Sequence, residues 1–490
     1  MGTTTRRLSG LDAAFLALET ERSTGHVGGL SIVDPSTAAE PIDLDRMLRL
    51  YAERVSLVPV LRRRLMRLPF GIDQPYWVDD PGFDLTYHVR ESALPAPGDD
   101  DQLRELVARL HERPLDLDRP LWENHLITGL RGGLVASYIK IHHAAMDGVA
   151  GNDLIGALMD LTPEGRDLPP VKAWRPPPLP GPWRLTGRAA ADAARRPVEA
   201  ARIAADVARA VPEVLPWVGP AVAPLVNRVL GRGTPDGELL EATAGRAPVT
   251  PFNVDITPHR LVGLSTLSLQ DVKTVKNAFR VSVNDVVMAV SAGALRAWLL
   301  DRDALPDHPL VAMVPVSIRT GGDAGAAGGG RELGNKVSAM LAQLPTHLAD
   351  PVARLHVSHE ATQHAKEQQA FIPQGLVDEV SDFAPPALMN RAFRAMFGWH
   401  VLNRVPAFNV VVSNVPGPPI PIYLAGAQVI AHYPLSIVTD GLALNITVLS
   451  YLGRLHVGLV ADRRAVPDVQ ALADGLAAEL DILLAAIPGS

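Results

Sequence analysis

The chain is 490 residues long, 47% hydrophobic and 20% charged, with a formal net charge of −7. A chain of this length outgrows a single hydrophobic core and should divide into two or three domains, while its acidic balance and the lack of a Lys/Arg-rich run argue against a nucleic-acid partner, which would ask for a basic face. The absence of cysteine excludes disulfides, thiolate metal sites and every covalent route through a cysteine nucleophile.

Thr5-Arg6-Arg7-Leu8 has the look of a twin-arginine signal, but Asp12 and Glu19 interrupt the apolar stretch such a signal needs and no cleavage site follows. A cytoplasmic protein is therefore expected, and no run reaches the roughly 20 apolar residues that span a bilayer. Short strands and helices should fill the chain up to about Thr162, among them a strand over 28–33 and a helix over 42–55. Pro120-Leu121-Trp122-Glu123 reads as core and turn.

Residues 134–141 (LVASYIKI) form an apolar run with β-branched and aromatic members, the pattern of a buried strand. The run ends at His142-His143-Ala144-Ala145-Met146-Asp147-Gly148, an H-H-x-x-x-D-G cluster. Beyond it Val149, Leu154, Leu158 and Leu161 recur at helical spacing until Thr162-Pro163 stops the pattern. The cluster thus sits on a strand-to-helix loop, where a rigid scaffold commonly displays catalytic side chains. An imidazole exchanges a proton near neutral pH and a carboxylate can orient it, so one reading makes His143 a general base held by Asp147. The plainer reading is a strand-end histidine pair that satisfies backbone groups, with Asp147 as a helix N-cap. No G-x-S-x-G elbow supports a serine nucleophile, so direct transfer assisted by a base gains by elimination.

Residues 168–182 (LPPVKAWRPPPLPGP) are proline-rich enough to be an extended linker. They divide the chain into an N-terminal domain over 1–167, a linker and helical crossover over 168–249, and a C-terminal domain over 250–490. Within the crossover, an alanine- and arginine-rich helix over 189–210 and the apolar stretch 214–226 with Trp217 either lie on a lipid surface, with Trp174 and Trp183 as anchors, or pack between the domains.

Farther on, Asn284-Asp285 opens a long apolar helix, either as caps or as part of a ligand or oxyanion site at its N-terminus. A strand over 311–318 ends at Arg319, which either pairs with Asp147 or sits solvated at the strand end. The glycine-rich 321–334 stretch lacks the lysine of a phosphate loop. His359-Glu360-x-x-x-His364 misses metalloprotease spacing by one residue, so a solvated helix face is expected and no metal. A buried strand over 410–412 leads into the turn-rich Ser413-Asn414-Val415-Pro416-Gly417-Pro418, a structural turn or part of a channel wall.

HHAAMDG at 142–148 resembles the active-site motif of the CoA-dependent acyltransferase superfamily, which includes nonribosomal-peptide condensation domains and polyketide-associated acyltransferases. With LSGLDAAFLALET (8–20), PLWE (120–123), NDVVMAVSAGALR (284–296), VPVSIR (314–319) and SNVPGP (413–418), the chain resembles the bacterial wax ester synthase/diacylglycerol acyltransferase family nearly end to end, with the motifs in family order. The resemblance implies an α/β fold of two chloramphenicol-acetyltransferase-like domains, mixed sheets flanked by helices, with the active site in a tunnel between them. It also implies transfer of a long-chain acyl group from acyl-CoA to a fatty alcohol or diacylglycerol, giving wax ester or triacylglycerol, with acyl-CoA as substrate and no cofactor. His143 would be the base, His142 its supporting neighbour and Asp147 the structural carboxylate. Gly148, Asn284, Asp285, Arg319, Ser413 and Asn414 would bind substrate or the oxyanion. Such substrates favour a peripheral place on the inner membrane or lipid droplets. Two other readings stand beside this one: an acyltransferase that takes its acyl group from a carrier protein, and a non-catalytic lipid-droplet binding protein.

Overall fold

The computed structural model describes residues 5–17, 19–69, 73–146, 151–168, 174, 177–181, 183–187, 247–317, 337–370 and 406–488. Asp147, Gly148, Arg319, the glycine-rich 321–334 stretch and the 189–226 crossover lie outside the described residues.

Two six-stranded mixed sheets organise the protein. The first runs, in spatial order, Tyr423–Leu424, Ala427–Leu435, His26–Asp34, Val135–His142, Trp122–Thr128 and Val89–Ala93. The second runs Val337–Leu344, Leu310–Ser317, Val410–Pro416, Leu444–Tyr451, Arg454–Asp462 and Arg260–Ser268. Helices pack on both, giving an α/β architecture; the expected strands over 28–33, 134–141 and 311–318 and the helix over 42–55 all form within a few residues of their expected bounds.

One feature that alternation alone does not reveal is the strand Ala427–Leu435. It follows most of the second sheet in the chain, yet pairs antiparallel with His26–Asp34 in the first. A strand from the C-terminal part thus completes the sheet that carries the histidines. The crossing is tight: a Cβ built on Gly458, in the second sheet, would lie 2.0 Å from the Pro434 carbonyl oxygen. Only a residue without a side chain lets the two strands approach this closely.

The helix Val283–Leu300 is long and apolar enough to cross a membrane by composition, but 72% of it is buried inside the fold. Apolarity on all sides marks it as a core helix. Its N-cap corrects the sequence expectation: Ser282, not Asn284 or Asp285, occupies that position, accepting the Asp285 N–H at 3.2 Å, and Asp285 returns the bond by accepting the Ser282 N–H at 2.8 Å. This reciprocal capping box satisfies two backbone donors that the first turn leaves over.

A second correction concerns SNVPGP. Ser413 to Pro416 continue the strand Val410–Pro416, paired in parallel with Thr447 to Ser450, so the turn begins only at Gly417. Trp174 packs edge-on to Phe83 with the Arg62 guanidinium 4.6 Å from its ring centre, whereas Trp183 is 80% exposed. Of these two candidate lipid anchors, Trp183 is exposed and Trp174 half-buried.

Candidate active site

The strand Val135–His142 is central in the first sheet, and its last residue, His142, lies opposite His26 in register. The chain then turns directly into a short helix, His143–Met146. His142 ends the strand and His143 begins the helix, and the two rings meet different partners.

His142 is fully buried. Its Nδ1 accepts the Ala144 N–H at 3.0 Å, so the ring proton must be on Nε2, which lies 3.1 Å from Glu19 Oε1 and donates to it. The imidazole is therefore fixed as the neutral Nε2–H tautomer, tied at one end to the turn and at the other to a carboxylate. Glu19 also accepts the Gly25 N–H at 3.4 Å. Gly25 can have no side chain here, since its Cβ would lie 2.6 Å from His142 Nε2 and 3.0 Å from the Phe15 carbonyl oxygen.

His143 is half-buried, with its Nδ1 below the surface. Its backbone N–H donates to the Gly25 carbonyl at 2.8 Å, and its ring stacks on Phe15 with centres 3.9 Å apart and planes inclined by 22°. The N-terminal segment thus holds both histidines: Phe15 against one ring, Glu19 on the other, and the Gly25 backbone between them. Phe15, Glu19 and Gly25 escaped the sequence reading. The signal that could have found Phe15 and Glu19 was the stretch LSGLDAAFLALET (8–20), which contains both.

PLWE supports the same strand. The Leu121 carbonyl accepts the His142 N–H at 2.9 Å, and buried Trp122 stacks between Tyr51 and His88, with its indole N–H donating to the Leu61 carbonyl at 2.8 Å. On the face shared by His142 lies Lys140, fully buried, whose ammonium donates to the carbonyls of Leu110 at 2.9 Å and Arg113 at 2.7 Å, at the C-terminal end of the helix Asp100–Glu112. A cation suits that end of a helix. Burial nevertheless pushes its pKa down to about 8, with Glu123 partly opposing the shift. Beside it, burial and the Lys140 charge push His111 down to about 3 and hold His26 well below the usual range. Both imidazoles stay neutral in the folded protein at neutral pH.

The remaining expected site residues lie on the C-terminal part. Asp285 is fully buried and accepts from His359 Nδ1 at 2.7 Å. Glu360 and His364 lie on the solvated face expected for this motif, while the half-exposed His359 ties the helix Pro351–Ala370 to the first turn of the core helix. Asn284 is half-exposed beside it, and Ser413 and Asn414 are half-exposed on neighbouring positions of the strand Val410–Pro416. Among the described residues, then, the structure joins His142 and His143 with Phe15, Glu19 and Gly25, and joins Asp285 with His359. No group of three or more His, Cys, Asp or Glu among the described residues could hold a metal ion.

Known families give this geometry its context. The model for the wax ester synthase/diacylglycerol acyltransferase catalytic domain matches residues 8–287, and that for the C-terminal domain of the same family matches residues 333–484. The chain belongs to the wax ester synthase/diacylglycerol acyltransferase family. As a family member it is an acyltransferase. A probable diacylglycerol O-acyltransferase of Mycobacterium tuberculosis is 36% identical over 97% of this chain and 98% of its own length. A second, putative diacylglycerol O-acyltransferase from that organism is 38% identical over 98% of this chain and 100% of its own. The wax ester synthase/diacylglycerol acyltransferase of Marinobacter aquaeolei superposes with a TM-score of 0.68 at 28% identity, covering 98% of this chain and 100% of that one. A condensation domain of the calcium-dependent antibiotic synthetase shares the fold, with a TM-score of 0.54 at 15% identity over 100% of this chain and 99% of that one. The histidine clamp therefore sits inside a family whose models span both sheets.

Proposed function

We propose that the protein transfers a long-chain acyl group from acyl-CoA to the hydroxyl of a fatty alcohol or diacylglycerol, with His143 as general base. The observation that carries this reading is the clamp at the end of the histidine strand, in which Phe15 and the Gly25 carbonyl fix His143 while Glu19 fixes its neighbour. With Nδ1 below the surface, Nε2 is the nitrogen of His143 that meets the acceptor.

The step balances without an acyl-enzyme. Nε2 takes the hydroxyl proton as the acceptor oxygen bonds to the thioester carbonyl carbon, and the tetrahedral oxyanion then collapses, breaking the carbon–sulfur bond. The imidazolium returns its proton to the departing thiolate. Acyl-CoA enters as a substrate, and the scheme calls for no cofactor. Asp147 as the group orienting His143, Gly148 and Arg319 beside it, and Asn284, Ser413 and Asn414 as contacts to substrate or oxyanion belong to the same proposal, whereas Asp285, fully buried and bonded to Ser282 and His359, holds the helix start rather than the substrate. Locked as a neutral donor to Glu19, His142 shapes the turn that aims His143. A peripheral position on the inner membrane or on lipid droplets, facing the cytoplasm, fits water-insoluble substrates, and the 80% exposed Trp183 offers one anchor.

Incubating the purified protein with palmitoyl-CoA and either hexadecanol or diacylglycerol tests the reading. Wax ester or triacylglycerol should form; no ester from either acceptor would overturn it. Replacing palmitoyl-CoA by palmitoyl carrier protein tells the two donor classes apart.

A further inference from the structure

A cleft of about 660 Å³ opens between the helix Gly151–Leu158, with its continuation to Arg166, and the segment that follows the strand Val410–Pro416. The first wall comes from the sequence just after the histidine loop, the second from the C-terminal part. Asp160 and Tyr423 stitch the two together, exchanging backbone hydrogen bonds of 2.8 Å in both directions. Small-molecule sites form preferentially at such junctions, and this volume lies in their usual range.

The lining is mostly apolar, including Ile155, Met159, Pro418 and Ile422. Its one carboxylate is already paired. The Asp160 carboxylate, 3% exposed, is held by Arg54 and by Arg166 Nε at 2.9 Å. Arg166 also turns a terminal nitrogen to the carbonyls of Gly156 at 2.7 Å, Ala157 at 3.2 Å and Met159, at the end of the helix. The Asp160 carboxylate is thus paired with two guanidinium groups, and the excess positive charge, on Arg166, is turned onto carbonyls at the end of the helix. The apolar side chains that make up the rest of the wall suit a hydrocarbon chain.

Gly156 is the telling residue. A glycine inside a helix weakens it, and Gly25 and Gly458 in this fold answer a steric demand. Here there is none: its backbone is not left-handed, and an added Cβ would meet nothing within 4 Å. What the missing side chain does is leave the cleft open.

We propose that this cleft binds the hydrocarbon chain of one of the two substrates and that Gly156 sets the chain length it admits. The proposal rests on the acyl-transfer reading above, and the variants Gly156→Leu and Gly156→Trp test it. Ester formation is measured with alcohols from octanol to hexadecanol at fixed palmitoyl-CoA, and with donors from octanoyl- to palmitoyl-CoA at fixed hexadecanol. In one series the ratio of kcat/KM between the longest and shortest chain should fall by about 10-fold or more, the scale at which a pocket senses a few methylenes. The series that moves identifies the chain. Unchanged ratios in both series, with activity retained, would overturn the proposal.

A second measurement does not depend on turnover. Hexadecanol and palmitoyl-CoA analogues carrying a diazirine in mid-chain are photo-crosslinked to the wild type and to Gly156→Trp, and the labelled peptides are mapped by mass spectrometry. Label on 151–166 or 416–422 that disappears in Gly156→Trp supports the cleft even if no ester is ever formed. Label elsewhere, or label indifferent to the substitution, overturns it. Thermal melting should show both variants folded, since the change replaces a helix-weakening residue.

Discussion

Glu19 and His142 stand 123 residues apart in the chain, yet a 3.1 Å hydrogen bond joins them, and the Ala144 N–H on the opposite ring nitrogen dictates its direction. The carboxylate accepts; the imidazole donates as a neutral ring. This fixes the first histidine as a support and leaves the second to do the proton transfer.

The bond can be dissected by substitution. Glu19→Gln keeps a side-chain oxygen for the Nε2–H and should retain most of the activity. Glu19→Ala leaves a buried donor without its acceptor, at a cost of about 1–3 kcal/mol in stability. If about 1.4 kcal/mol of that appears in the transition state, kcat falls about 10-fold. Urea denaturation and steady-state rates of the two variants check this; equal effects of Gln and Ala would mean that the charge, not the hydrogen bond, matters.

Gly25→Ala tests the close approach of the N-terminal segment. Its methyl would lie 2.6 Å from His142 Nε2 and must push that ring or the Phe15 backbone aside. The expected cost is about 1–3 kcal/mol, with activity lost out of proportion to stability because both histidines hang on this residue. Comparing kcat with the unfolding midpoint would show whether the two losses separate.

Much of this site was legible in the sequence. An apolar run ending abruptly at His142-His143 announces a buried strand and its exit, because burial on both faces selects β-branched residues and the loop then selects polar ones. Phe15 and Glu19 lie inside LSGLDAAFLALET, but their contacts with the histidines, like that of Gly25, were not legible, since a contact made across more than a hundred residues leaves no local pattern. The cap at Ser282 was misplaced by two or three residues: Asn and Asp are favoured caps in general, but the Ser-x-x-Asp spacing describes a box that begins at the serine. SNVPGP looked like a turn because of its prolines, whereas Pro416 sits at the very end of its strand, where no further ladder bond is required. Alternation identified strands in the C-terminal part but could not say that Ala427–Leu435 joins the first sheet.

Buried histidines set the acid response. Burial above all pushes His111 down to about 3, and His432 and His456 to about 4, against about 6.5 when unfolded. Between those values the unfolded chain binds more protons than the folded one, so their contribution to stability is complete above pH 6.5 and is lost as pH falls toward 4. Each can contribute a slope of up to about 1.4 kcal/mol per pH unit. Urea midpoints should therefore drop steadily from pH 7 to pH 5, and His432→Asn should flatten the decline. A midpoint that holds constant over this range would contradict the account.

Asp285 and His359 offer a double-mutant cycle. Asp285→Ala removes both the capping box and the acceptor for His359, while His359→Ala removes one of the two donors seen on Asp285 Oδ2. Loss of a cap costs about 0.5–2 kcal/mol, and residues in one hydrogen-bonded unit are not additive. The double variant should be less destabilised than the sum of the singles. Strict additivity in thermal denaturation would show that the 2.7 Å contact does not couple the two helices.

The central claim is that His143 moves the proton and that the surrounding clamp only aims it. The most direct measurement is the single-turnover rate of ester formation by His143→Ala, with palmitoyl-CoA and hexadecanol saturating, alongside acyl-CoA binding and thermal stability. The predicted result is a rate lower by about 10² to 10⁴, with binding and melting close to the wild type. A variant that binds, melts and turns over like the wild type would contradict the assignment of the base.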